Sequence, residues 1–261
     1  MTPRGAARSG AEGAAAWTPR AVVLDFDGLL VDTESTLFES WRYEWEQWGL
    51  DLPVEGFFAP HGGDVTHQRM RRLAGAVGDH FDEELSRRRR LEYRDGLHQD
   101  LDLRQGIRDW IGEAAERGVA LAVASSSPTS WLEEHLGRVG VLDGFDVLAG
   151  GDEVGAHKPD PAVYRLALHR LGAAPDDVVA VEDTPHGVAA AHGAGLACIA
   201  IPNPYVGARQ VEHAELVLTS ATSMSLVSAA ATAHVRVVER GTEQSRWRGT
   251  RPSAAASPRP R

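Results

Sequence analysis

The sequence predicts an α/β fold: a Rossmann-like, doubly wound parallel sheet with a small α-helical domain inserted after the first strand. Two observations carry that expectation. Short, nearly continuous apolar runs alternate with helical patterns along most of the 261 residues. The alternation breaks once, between Asp25 and Val119, in a stretch that shows helical spacing and no strand pattern.

The runs are Ala21–Leu24, Val119–Ala124, Asp146–Ala149, Val178–Val181, Leu196–Ile201 and a short last one at Leu216–Leu218. Strands apolar on both faces suit a parallel sheet covered by helices. Helices are expected at Trp131–Val139, Ala162–Leu171 and Pro185–His192, which makes the pattern βαβ. Inside the long break, Glu34–Trp48, Asp64–Val77 and Phe81–Leu97 read as helices. Leu37, Trp41, Trp45 and Trp48 recur at helical spacing there, and such a stripe reads as packing core rather than a ligand platform. The expected organisation is a leader at 1–18, an α/β core from 19–33 and 104–235, a helical cap at 34–103, and a tail at 236–261. Leader and tail are rich in Ala, Gly, Ser, Pro and Arg and read as disordered.

Composition narrows the function classes. The net charge is −10, yet residues 1–20 carry +2 and residues 236–261 carry +5, which leaves −17 on the body. Such a body repels nucleic-acid phosphates. An anionic substrate needs a local device: a metal ion, a helix N-terminus or a placed cation. No apolar stretch reaches 18 residues, so no transmembrane helix is expected and no membrane partner. The N-terminus lacks a secretory apolar run, and Cys198 is alone, so a reducing, cytoplasmic setting is expected. A monomer is favoured. The chain holds 26 arginines and one lysine, Lys158, and a lysine surviving in that composition reads as one that arginine cannot replace.

Four short segments carry chemistry. Asp25-Phe26-Asp27-Gly28 ends the first strand, and two carboxylates so close to a buried strand end need a cation or a shared proton. Glu182-Asp183 ends a later strand, ahead of Thr184, a good N-cap, and Pro185. If those strands are neighbours, four carboxylates meet at one edge. Oxygen-only donors without a His/Cys cluster suit a hard ion, Mg²⁺ above all. Ser125 ends the second strand in a run of three serines, where a hydroxyl and free N–H groups can seat a phosphate. Lys158, flanked by His157 and Pro159, can present a point charge to a phosphate.

Together these segments resemble the haloacid dehalogenase-like hydrolase superfamily, in the helical-cap branch similar to β-phosphoglucomutase and the sugar-phosphate phosphatases. The matching motifs are the D-x-D at Asp25 and Asp27, the strand-end Ser125, the K-P-x-P lysine Lys158, and the acidic pair Glu182 and Asp183. The likeness covers about residues 20–220. The resemblance implies that the first strand is central, beside the strands bearing Ser125 and Glu182. It also implies phosphoryl transfer through an aspartyl phosphate, with Asp25 as nucleophile and Asp27 as general acid and base. Mg²⁺ would be held by Asp25, the carbonyl of Asp27, Glu182 and Asp183. Ser125, the amide of Ser126, and Lys158 would hold the phosphoryl oxygens.

Within the family, the second aspartate Asp27 argues against dehalogenation. The absence of a cap lysine argues against phosphonate hydrolysis. A sugar phosphomutase carries a His shortly after the D-x-D and an Arg in the cap loop. Leu37 stands at the first position here, and the loop from His61 offers no arginine before Arg69. The expected activity is therefore Mg²⁺-dependent hydrolysis of a small phosphorylated metabolite, such as a sugar or polyol phosphate. The alternatives are a sugar phosphomutase and a catalytically silent binding protein on this fold. Glu34, His61, Asp64 and His67 are candidates for the entrance, although each also reads as plain surface. His157, His186 and His192 read as helix-end residues, and Arg87–Arg90 as a solvated face.

Overall fold

The computed structural model describes residues 17–58 and 65–249, with side chains as far as Val237. Among the described residues, six strands form one sheet: β1 (Ala21–Leu24), β2 (Ala120–Ala124), β3 (Val147–Ala149), β4 (Val178–Glu182), β5 (Ala197–Ala200) and β6 (Leu216–Val217). Their order is β3-β2-β1-β4-β5-β6, and every pairing is parallel. β1 is central, with Leu24 opposite Val123 of β2 and Val181 of β4. The chain winds outward from β1 in both directions. Loops therefore diverge beyond the carboxyl ends of β1, β2 and β4, and a crevice opens there.

Side-chain alternation along the strands sorts the core into two layers. Val22, Leu24, Leu121, Val123, Val179, Val181 and Ile199 face one way, against α4 (Ile107–Arg117), α5 (Thr129–Arg138) and α8 (Leu226–Gly249). Ala21, Val23, Ala122, Ala124, Ala180, Cys198 and Ala200 face the other way. There they meet α6 (Ala162–Leu171) and α7 (Pro185–Gly193). Bulky branched residues fill the first layer, and alanines let helices sit close in the second.

Among the described residues, three α-helices lie between β1 and α4: α1 (Thr33–Gln47), α2 (Thr66–Val77) and α3 (Glu83–Gln99). Asp32 starts α1 by accepting from the Ser35 N–H at 3.0 Å and its hydroxyl at 2.8 Å. The aromatic stripe of α1 forms the core expected of it: Trp41 and Trp45 are buried with Phe57, Met70 and Leu73, and Leu37 and Trp48 pack at the margin. That cluster shares no residue with the two sheet layers.

The Arg87–Arg90 run is not a uniformly solvated face. Arg90 is buried with its guanidinium 4.6 Å from the Trp41 ring centre. Arg89 grips the buried Glu44 with two hydrogen bonds, at 2.9 and 2.6 Å. Only Arg87 and Arg88 stay at the surface, paired with Glu83, Glu84 and Glu92. Four consecutive residues point round a helix, so two of them had to meet α1.

The chain ends also depart from expectation. Residues 1–16 and 250–261 lie outside the described residues, but Trp17 stacks on His234 of α8 with ring centres 3.9 Å apart. The α8 helix runs on to Gly249, past the expected tail start at 236, and Arg236 donates to the carbonyl of Glu215. Its buried stripe is Leu226 followed by Ala229, Ala230 and Ala233. Small side chains gave little periodic signal, although alanine is the best helix former. Among the described residues, no helix is long and apolar enough to cross a membrane.

Replacing Trp41 tests the independence of the third cluster. Trp41→Ala should cost about 3–5 kcal/mol in urea unfolding followed by circular dichroism. A cost below about 1 kcal/mol would mean that the cluster is not a packed core.

Candidate active site

The four sequence motifs converge at the carboxyl edge of the sheet. Asp25, Asp27, Ser125, Ser126, Lys158 and Asp183 all line one cavity of about 430 Å³ beneath the helical insert. The parallel register is what assembles them. β1 delivers Asp25 one residue after Leu24, β2 delivers Ser125 one residue after Ala124, and β4 ends in Glu182 and Asp183.

After Asp25 the chain turns at once. Phe26 is fully buried, and Gly28 adopts φ +83°, with its N–H donating to the Val31 carbonyl at 2.8 Å. A Cβ at residue 28 would lie 2.2 Å from Oδ2 of Asp183, so only glycine lets the turn pass this close to the acidic pair.

Lys158 is the hub. Its ammonium donates to Asp25 Oδ1 at 2.5 Å, to Glu182 Oε1 at 2.6 Å and to the Ala124 carbonyl at 2.8 Å. Those three bonds use all its N–H groups. Lys158, expected to hold phosphoryl oxygens, binds the nucleophile candidate Asp25 and Glu182 of the acidic pair, and it lines the cavity. Burial opposes the ammonium, but Asp25 and Glu182 outweigh it and hold the lysine above its usual range.

Glu182 lies deeper than Asp183. It is fully buried and does not line the cavity. Oε1 accepts from Lys158 and from the Tyr164 hydroxyl at 2.6 Å, and Oε2 accepts from the Asp183 N–H at 3.1 Å. It serves Lys158 more directly than it serves the cavity. Asp183 does face the cavity, with Oδ2 accepting from the Asn203 side-chain amide at 2.8 Å.

One oxygen each from Asp25, Glu182 and Asp183 lies within 4.8 Å of the others. Three carboxylates against one ammonium leave an excess of negative charge. Burial pushes the Asp25 carboxyl up to about 8 against the pull of Lys158, and pushes Asp183 well above the carboxylate range. Carboxylates so strained electrostatically, with oxygen-only donors, fit a hard divalent cation.

Asp27 is held from the β2 side. Oδ2 accepts from the Ser127 hydroxyl at 2.6 Å and from Ser125 at 3.3 Å, and Oδ1 accepts from the Trp131 indole at 3.3 Å. Ser125 Oγ also accepts from the Ser127 N–H at 3.0 Å, which shapes the serine turn.

The far wall of the cavity was mostly not foreseen. His157 and His186 line it and are not merely helix-end residues, whereas His192 pairs with Glu215 at 2.9 Å, away from the site. Glu34, Leu37, Phe58, Arg69 and Arg94 line it from the insert. His67 is exposed and does not, and His61 and Asp64 lie outside the described residues. Arg69 donates to the Phe57 carbonyl at 2.9 Å and lies over the Phe57 ring. Burial lowers the Arg94 guanidinium, against the pull of Asp27 and Glu34. Tyr164, Asn203, Ser127 and Trp131 were also missed. Asn203 had a signal, since it sits in a Pro-flanked turn directly after an apolar strand.

Comparison with known proteins agrees with this geometry. The family model described as haloacid dehalogenase-like hydrolase matches residues 22–201. A phosphorylated carbohydrates phosphatase of Thermotoga maritima is 33% identical over 67% of this chain and 82% of its own length. Protein CbbY of Cereibacter sphaeroides is 32% identical over 77% of this chain and 91% of its own. A crystal structure of CbbY from Rhodobacter sphaeroides with xylulose 1,5-bisphosphate superposes with a TM-score of 0.65 at 29% identity. That match covers 81% of this chain and 99% of the other. A doubly wound α/β core with a carboxylate centre at its carboxyl edge is thus joined to a family-wide match. The chain belongs to the haloacid dehalogenase-like hydrolases.

The cavity wall yields a pH test. Burial, with the nearby charge of Asp27, pushes the Glu34 carboxyl up to about 7, against Arg94 and Arg69. Below pH ~4.5 it is protonated folded and unfolded, and contributes nothing to the pH dependence. Between there and pH ~7 the folded state keeps a proton that the unfolded chain releases, so stability falls as pH rises; above that the penalty is level. Glu34→Gln should therefore be more stable than wild type by about 1–3 kcal/mol at pH 8 and equal to it at pH 4. Equal stability at pH 8 would show that Glu34 ionises freely.

Proposed function

We propose that the chain is a Mg²⁺-dependent phosphatase that hydrolyses a small phosphorylated metabolite, a sugar or polyol phosphate, through an aspartyl phosphate on Asp25. The observation that carries this reading is the convergence of Asp25, Asp27, Lys158 and Asp183 on one cavity floor. The cavity of about 430 Å³ suits a small metabolite. The phosphatase name of the Thermotoga maritima relative supports the substrate class.

Asp25 and Asp183, with the Asp27 carbonyl, would hold the ion, and Glu182 stands behind them within reach. Bound Mg²⁺ would neutralise the carboxylates and draw charge from the phosphoryl group. Asp25 attacks phosphorus in line, and the P–O bond to the leaving group breaks. Lys158 favours the ionised form of Asp25 against burial and aims it by its 2.5 Å bond. Asp27 protonates the departing oxygen, then takes a proton from the water that hydrolyses the aspartyl phosphate. Ser127 and Trp131 hold the two Asp27 oxygens in place for both steps. The Ser125 hydroxyl and the Ser126 amide face the phosphoryl oxygens, as a strand-to-helix turn does.

One observation favours a second reading. Arg69 and Arg94 both line the insert side of the cavity, opposite the acidic floor. Two guanidinium groups there suit a second anionic group on the ligand, as a sugar phosphomutase needs. The apolar Leu37 at the expected histidine position weighs the other way.

Phosphate release from p-nitrophenyl phosphate and a phosphometabolite panel tests the first reading. Turnover should require Mg²⁺, vanish with EDTA and with Asp25→Asn, and fall about 10²–10⁴-fold in Asp27→Asn. Undiminished turnover in Asp25→Asn would refute the covalent route. Conversion of β-glucose 1-phosphate to glucose 6-phosphate without free phosphate would decide for the mutase.

A further inference from the structure

Arg104 lies in the segment that returns from α3 to the sheet, just before α4. Its own N–H donates to the Leu30 carbonyl at 2.8 Å. Its guanidinium donates to three main-chain carbonyls: Gly28, Ile201 at 3.4 Å and Pro202 at 3.2 Å. Gly28 directly follows Asp27. Pro202 directly precedes Asn203, whose amide holds Asp183 Oδ2 at 2.8 Å. One planar cation thus joins the turn after β1, which follows Asp27, to the loop after β5, whose Asn203 holds Asp183.

The join is made where spacing is critical. The Gly28 turn passes so near Asp183 that a single added carbon would sit 2.2 Å from its carboxylate. Mg²⁺ demands near-ideal octahedral geometry, so small shifts between its ligands weaken binding. A guanidinium offers five donors in a fixed plane and can serve carbonyls from two loops at once, whereas a lysine ammonium offers three from one point. Arg104 itself is not among the residues lining the cavity of Asp25 and Asp183.

We infer that Arg104 is a positioning residue for the metal centre. It fixes the distance between the Asp27 carbonyl and the Asp183 carboxylate by clamping Gly28 and Pro202 together. The inference rests on the proposed reading that Asp25, the Asp27 carbonyl and Asp183 hold Mg²⁺.

The test uses the full chain as wild type, Arg104→Lys, Arg104→Gln and Asp183→Asn. Calorimetric titration with MgCl₂ alone gives metal affinity, thermal melting without metal gives fold stability, and p-nitrophenyl phosphate turnover against Mg²⁺ separates metal requirement from kcat. Arg104→Lys should fold, bind Mg²⁺ about tenfold more weakly or worse, and recover a kcat near wild type at saturating metal. Arg104→Gln should bind more weakly still. A folded Arg104→Lys with wild-type Mg²⁺ affinity overturns the inference, because Arg104 would then be a structural tie only. An Arg104→Lys that fails to fold overturns it for the same reason. A wild type that binds no Mg²⁺, or an Asp183→Asn that binds it as well as wild type, removes the metal reading beneath the inference, and is seen before the Arg104 variants are compared.

Discussion

A buried ammonium between two carboxylates organises this molecule's working edge. Lys158 sits within 2.6 Å of both Asp25 and Glu182, which come from adjacent strands, and it reaches the carbonyl that ends β2 as well. Three strands are therefore tied at one point by one side chain. Desolvating three charges is costly, and mutual attraction offsets that cost only where geometry and hydrogen bonding are complete. The geometry here is complete on the Glu182 side, through Tyr164 and the Asp183 N–H. On the cavity side it is incomplete: burial and the neighbouring carboxylates raise Asp25 and Asp183 above the usual carboxylate range, and one lysine does not offset this. That imbalance and the spacing of these carboxylates suit a cation.

The acidic body of the chain becomes intelligible in the same terms. A strongly negative protein repels phosphates in bulk, yet this site places individual positive groups at contact range. Lys158 is at the floor, Arg69 and Arg94 are on the insert wall, and three carboxylates with the spacing to hold a cation lie at the strand ends. Long-range charge is screened over about a nanometre, whereas groups in a half-closed cavity act at contact range. Local placement wins over net charge.

Much of the fold was legible in the sequence because buried parallel strands are apolar on both faces and appear as continuous runs. All six strands fall where such runs lie. The floor of the site was legible too, since strand ends project their polar residues into a common crevice. What stayed hidden depended on contacts far apart in the chain. α4 and α8 were missed: one has only Ile107, Trp110 and Ala114 to mark its buried face, and the other is lined with alanine. Tyr164, Trp131 and Arg104 look like ordinary helix or loop residues until the sheet brings Glu182, Asp27 and Gly28 to them. Glu182 reads as a metal ligand from its neighbour Asp183, and the structure keeps one of its oxygens within 4.8 Å of Asp25 and Asp183 while adding a bond to Lys158 that the sequence did not show.

The insert has an apolar nucleus of its own, centred on Trp41, and none of its members packs in either layer of the sheet. Its helices furnish the ceiling over the carboxylates while the strands furnish the floor. Drift in the ceiling, at Leu37, Phe58 or Arg94, can thus reshape which molecule is admitted and leave the bond-breaking apparatus below undisturbed. A lineage built this way changes its diet without relearning its chemistry.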